Sequence, residues 1–118
     1  MTAAKEKKFN FKIGADPEFI LTMQGRKVDA KQTMELMLKG KEGFKSTQMG
    51  YDIAKFGNIG WDGANSTAEA RPAASDSPTE VVENLRGLFT AMTQHIKICD
   101  MSTISEFSSI GGHIHLEI

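Results

Sequence analysis

Gly111-Gly112-His113-Ile114-His115-Leu116-Glu117-Ile118 sets two imidazoles and a carboxylate at every second position. Side chains on a strand alternate between faces. His113, His115 and Glu117 therefore share one face, and Ile114, Leu116 and Ile118 the other. An apolar face seeks a core, whereas a face with two imidazoles and a carboxylate suits a metal, a polar ligand or water. Two earlier segments repeat the pattern. In Asp16-Pro17-Glu18-Phe19-Ile20-Leu21 an extended chain puts Asp16 and Glu18 opposite Pro17, Phe19 and Leu21. In Asn65-Ser66-Thr67-Ala68-Glu69-Ala70-Arg71-Pro72, Thr67, Glu69 and Arg71 oppose Ala68 and Ala70. Carboxylates and imidazoles in one cleft repel or desolvate one another unless something neutralises them, which a divalent cation does. A carboxylate-dominated site suits Mg or Mn, and Mg commonly sits with substrate phosphates. His-X-His can also supply two ligands to zinc, which would prefer three or four close ones, and that option stays open. Each feature has a plainer reading beside this one. His-X-His is often surface or packing, Asp-Pro is a common turn pair, and Glu69 with Arg71 can be an ordinary ion pair. The combination, on three strands with matched apolar faces, favours a site.

The elements that would position these residues are legible in part. Phe9-Asn10-Phe11-Lys12-Ile13 alternates and leads through Gly14 and Ala15 into the Asp16 segment. Pro17 fits only an edge strand, a strand start or a bulge. Gln24-Gly25-Arg26-Lys27 reads as a hairpin turn. Residues 33–40 read as a short helix closed by Gly40. Residues 43–60, rich in glycine and small polar side chains, read as a loop covering a site or a poorly packed connection. Trp61-Asp62-Gly63 marks a tight turn before the Glu69 strand. Ser77-Pro78-Thr79-Glu80 is a helix start, with Ser77 as N-cap, Pro78 at the first helical position and Glu80 reaching back as a capping box. Val81, Val82, Leu85, Leu88, Phe89, Met92 and Ile96 then recur at helical spacing, so a helix is expected over residues 78–98. Its stripe would cover the apolar side of an antiparallel sheet and leave the carboxylate side open. The fold class is therefore α+β, an antiparallel sheet with helices on one face.

Composition narrows the functional class. The chain has 118 residues, 14 Lys and Arg against 15 Asp and Glu, and a net charge of −1. That is the size of a single domain, 1–118, with residues 1–8 expected as a flexible, solvated tail rather than an arm for nucleic acid. No apolar run is long enough to span a membrane, and no signal peptide is visible. No nucleic-acid or membrane partner is expected. Cys99 is the one cysteine. It fits a reducing compartment and reads as a structural thiol rather than a nucleophile.

The motifs Gly14-Ala15-Asp16-Pro17-Glu18-Phe19, Trp61-Asp62-Gly63 with Ala68-Glu69-Ala70-Arg71-Pro72, Ser77-Pro78-Thr79-Glu80, and Gly111-Gly112-His113-Ile114-His115 resemble, in this order, the signature of phage-encoded carboxylate–amine ligases. These are amidoligase relatives of glutamine synthetase and glutamate–cysteine ligase. The resemblance runs from Phe11 to Ile118 and is weakest over residues 23–51. It implies a glutamine-synthetase-like catalytic half-fold whose concave sheet face binds nucleotide and metals. It also implies the reaction: ATP- and Mg-dependent (or Mn-dependent) amide or peptide-like bond formation through an acyl phosphate. Glu18, Glu69, His113 and His115 would be metal ligands. Gly111, Gly112, His113 and His115 would meet the nucleotide, and Arg71 would clamp a phosphate or carboxylate. Asp16 and Asp62 are accessory ligands or turn formers. Ala70 departs from the family's larger apolar residue there, which affects packing.

Glutamine-synthetase-like ligases continue beyond the His-X-His strand, so the chain is expected to be the N-terminal part of such a domain. It could be truncated, split, interrupted by a mobile element, or retained as an inert phage part. A bare final strand predicts a companion chain or a second copy pairing with it. Two readings are carried forward. One is a ligase acting on small-molecule or peptide carboxylates and amines in the host cytoplasm, active when completed. The other is a non-catalytic structural or assembly protein of the virion derived from the ligase fold. An unrelated metal-binding protein is the residual alternative.

Overall fold

The computed structural model describes residues 10–63, 67–96, 100–102 and 114–117, the last two groups through their backbone and the Leu116 side chain. Its elements are β1 (Lys12–Ala15), β2 (Glu18–Met23), β3 (Arg26–Val28), α1 (Ala30–Leu38), β4 (Lys45–Thr47), β5 (Gly50–Ile53), β6 (Gly57–Trp61), β7 (Ala68–Pro72), α2 (Pro78–Thr93), β8 (Asp100–Ser102) and β9 (Ile114–Glu117). The main sheet is antiparallel and runs β3-β2-β7-β6-β5-β4, with β8 also pairing β2. β1 and β9 form a separate antiparallel pair. It is tied to the segment after β7 by reciprocal hydrogen bonds between Ile13 and Ser75, 2.7 and 3.1 Å long.

The expected division of faces holds for the strands of the main sheet but not at Leu116 of β9, which was expected on a core-facing side and is 63 % exposed. Phe19 and Leu21 of β2, Ala68 and Ala70 of β7, Ile59 and Trp61 of β6, and Tyr51 and Ile53 of β5 are buried in one cluster. Ala30, Met34 and Leu38 of α1 and Leu88 and Met92 of α2 belong to the same cluster, so both helices pack on this face. The fold is α+β, with the hydrophobic layer on one side of an antiparallel sheet. Among the described residues no helix is long and apolar enough to cross a membrane.

The helices carry four corrections. α2 ends at Thr93, not 98, and Ile96, which is buried, packs from beyond its end. Val82 is 53 % exposed and falls off the buried stripe, where Asn84 takes a place by donating to the Ala73 carbonyl at 3.0 Å. The cap is half of the expected box. Ser77 Oγ accepts from the Glu80 N–H at 3.2 Å, but the Ser77 N–H goes to Ser75 Oγ rather than to the Glu80 side chain. α1 starts earlier than residue 33, because Asp29 accepts from the Gln32 N–H at 3.1 Å and caps it.

The largest departure is the glycine-rich stretch. Residues 43–60 hold β4, β5 and most of β6. The Gln24–Gly25 turn was legible: both residues have positive φ, 54° and 78°, as a two-residue hairpin of the mirror-image type requires. Cys99 and residues 1–8, expected as a tail, lie outside the described residues.

Candidate functional site

Glu18 and Glu69, picked out from separate motifs, are direct register partners across β2 and β7. The Ala70 N–H donates to the Pro17 carbonyl at 3.0 Å. That bond joins the residues flanking the pair, so Glu18 and Glu69 form a non-hydrogen-bonded pair. This is the position where antiparallel Cα atoms come closest, about 4.5 Å, and side chains crowd. Both glutamates are half-buried, and both stand on the face away from the helices. Like charges directly opposite one another are destabilising, so this juxtaposition requires compensation.

Arg71 supplies part of it. Its Nε donates to Glu69 Oε1 at 2.9 Å, and Nη2 lies 2.9 Å from the same oxygen. Nη1 donates to Asn58 Oδ1 at 2.6 Å and to the Met49 carbonyl at 3.2 Å, and Nη2 to the Trp61 carbonyl at 2.9 Å. All three guanidinium nitrogens thus serve protein acceptors. Asn58 faces Arg71 across β6 and β7 and Asp52 across β5 and β6. Its Nδ2 donates to Asp52 Oδ1 at 2.8 Å and to Thr47 Oγ1 at 3.3 Å. A continuous chain of polar contacts, Asp52–Asn58–Arg71–Glu69, therefore crosses the sheet and ends beside Glu18.

Glycine makes room for this chain. Gly60 is the register partner of Glu69 on one side and of Gly50 on the other. A Cβ at Gly60 would lie 1.9 Å from the Met49 carbonyl oxygen and 2.9 Å from Arg71 Nη1. A side chain there would evict the guanidinium from its seat.

The face is closed at one end. Ile20 shares the orientation of Glu18 yet is only 2 % exposed, and it stands outside the helix-side core cluster. Thr67, next but one to Glu69, is 1 % exposed, and its hydroxyl has no hydrogen-bond partner among the described residues. Asp62 donates its N–H to the Thr67 carbonyl at 2.7 Å and closes the β6–β7 hairpin. Asp16 sits in the break between β1 and β2.

Of the expected ligand set, the described residues bring Glu18, Glu69 and Arg71 together. His115 is located by register, opposite Gly14 on β1. That is four residues before Glu18 in the chain. Gly111, Gly112 and His113 lie outside the described residues. Among the described residues, no three His, Cys, Asp or Glu side chains converge as a metal cluster. Asn58, Asp52 and Gly60 were missed in the sequence. The available signal was the alternation Asn58-Ile59-Gly60-Trp61, hidden by its glycines.

Among the described residues, Glu18, Glu69 and Arg71 stand on the face of an antiparallel sheet opposite the one on which α1 and α2 pack, an α+β arrangement. Residues 13–118 match the family model described as Phage phiEco32-like COOH.NH2 ligase-type 2, and the chain belongs to that family. No curated protein and no solved structure matches it.

Proposed function

We propose that the chain forms the catalytic face of an ATP- and Mg-dependent carboxylate–amine ligase with a glutamine-synthetase-like half-fold. In this reaction a substrate carboxylate takes a phosphoryl group to become an acyl phosphate, and an amine then displaces phosphate to leave an amide. One observation carries the reading: Glu18 and Glu69, from motifs far apart in sequence, meet in the closest register the sheet allows. Two half-buried carboxylates forced together are a donor set that fits Mg or Mn. A divalent cation held there would neutralise the pair and offset charge on a transferring phosphoryl group. The chain's own residues do the rest. Glu18 and Glu69 offer oxygens, Arg71 orients Glu69, and the seven-stranded sheet keeps all three rigid. His115 of β9, with His113 and the Gly111-Gly112 pair that precede it in sequence, is proposed to contribute to the same site. A companion chain or a second copy is proposed to pair with β9.

The second reading, a non-catalytic structural or assembly part of a phage, is favoured by the engagement of Arg71 with protein acceptors. That engagement leaves no guanidinium nitrogen uncommitted for phosphate. The test is ADP release from ATP with Mg or Mn and panels of acids and amines, for this chain alone and with candidate partner chains. Glu18→Gln serves as control. The ligase reading expects metal-dependent release that falls at least a hundredfold in Glu18→Gln. No turnover in any combination, together with Mn binding unchanged by Glu18→Gln, would reject it.

A further inference from the structure

We infer that Arg71 is a positioning residue that acts through Glu69 rather than on a ligand, and that Asn58 is the residue that fixes it. The inference rests on the proposal that Glu18 and Glu69 hold a divalent cation.

A ligand clamp must present N–H groups outward. Arg71 instead bonds Glu69 Oε1, Asn58 Oδ1 and the carbonyls of Met49 and Trp61, all between 2.6 and 3.2 Å. Two of these acceptors are backbone, on β6 and on the turn before β5, so the guanidinium is built into the sheet. The planar fork of arginine allows this, and the ammonium of lysine cannot reproduce it. The Glu69 side chain is 17 % exposed and Arg71 30 %, so the contact is partly withdrawn from water. Its effect is to take up one carboxylate oxygen of Glu69 and hold the other in a fixed direction next to Glu18.

Asn58 extends the hold by one layer. Its oxygen accepts the shortest of the Arg71 bonds, 2.6 Å, and its amide is oriented by Asp52 at 2.8 Å and Thr47 at 3.3 Å. Asp52 thereby fixes which end of the Asn58 amide faces Arg71. Asn58 is the register partner of Arg71, two residues along the ladder from the Gly60–Glu69 pair. It carries no charge and occupies a different cross-strand row from the two glutamates. A change at Asn58 therefore alters the geometry of the site without altering its charge. Partners that orient a ligating group commonly contribute 10- to 100-fold in metal affinity, on the order of what the ligands' own orientation requires.

The discriminating measurement is Mn(II) affinity in the absence of nucleotide, by titration calorimetry on the full chain, for wild type, Arg71→Lys, Asn58→Ala and Glu18→Gln. Arg71→Lys keeps the charge and loses the fork. The positioning role predicts that Arg71→Lys and Asn58→Ala each weaken Mn(II) by about tenfold or more. A ligand clamp predicts unchanged Mn(II) affinity in Arg71→Lys with loss confined to ATP, and that result would overturn the inference. A second readout does not need the metal: the hydrogen-exchange protection of the Arg71 Nε–H, followed by NMR. It should be strong in wild type and fall at least tenfold in Asn58→Ala. If wild type binds no Mn(II), or Glu18→Gln binds it equally well, the metal-site proposal fails on its own. The Nε–H protection then decides the positioning role, and protection retained in Asn58→Ala overturns it.

Discussion

Tyr51 shows how a single side chain on the buried face can report on the sheet. It is buried beneath α1 and meets Trp61 edge-on, with ring centroids 6.2 Å apart. Burial pushes its phenol above the ordinary value, and the charge of Glu35 on α1 adds to the effect. A phenol that keeps its proton longer when folded than when unfolded contributes its full stability below the unfolded pKa, about 10. It loses that stability as pH rises above this value toward the folded pKa. The unfolding free energy should therefore hold up to about pH 10 and then fall. Tyr51→Phe should reduce the alkaline slope by up to about 1.4 kcal/mol per pH unit, the value of one proton. Glu35→Gln should reduce it less, because desolvation is the larger cause. Urea melts across that range check this, and equal slopes for wild type and Tyr51→Phe would contradict it. On the other face, Glu18, Glu69 and Arg71 were all legible from residue type and alternation. Asn58 was not, because an asparagine between two glycines carries the signature of a turn. Only pairing on both sides makes it a strand residue.

At the scale of elements, the strands that apolar alternation marks clearly, β2 and β7, and the start of α2 were readable. β4, β5 and β6 were not. Their glycines lower strand propensity, yet Gly50 and Gly60 are required by close backbone approach. A Cβ on Gly50 would sit 2.3 Å from the Ile59 carbonyl oxygen. Strand formation here is decided by neighbours, which a local reading does not contain. Gly87 presents the same conflict inside a helix. Glycine costs about 1 kcal/mol against alanine in a helix interior, so replacing it should help. However, a Cβ at Gly87 would meet the Phe56 ring at 2.4 to 2.6 Å. The Phe56 backbone is held in place by bonds to Ile53 and Ala73 of 3.0 and 2.8 Å. Packing should win: Gly87→Ala is expected to cost about 1–3 kcal/mol. In a Phe56→Ala background the same change should become neutral or stabilising by up to about 1 kcal/mol. A double-mutant cycle read by urea denaturation measures this, and a wild-type gain on Gly87→Ala would show that the ring yields freely.

At the scale of the molecule, the described residues form a seven-stranded sheet with helices on one face and a two-stranded sheet that joins far-separated segments. Ile13 directs its N–H and C=O to Ser75, so the neighbouring Lys12 and Gly14 direct theirs toward Glu117 and His115. Deleting residues 114–118 should therefore expose the Gly14 amide to exchange at least tenfold faster. The Ile13 amide should stay protected by Ser75. Hydrogen exchange resolved by NMR separates the two, and loss of protection throughout the main sheet would show that β9 holds more than its neighbour.

That same pairing orders events during synthesis. β1 leaves the ribosome before β9, and β9 must be made before the two can zip. Bringing such distant segments together carries a large loop-closure entropy, and contacts of this range form slowly. For the time needed to translate everything between them, the side of β1 that β9 takes in the folded protein lacks that partner and is open to other chains.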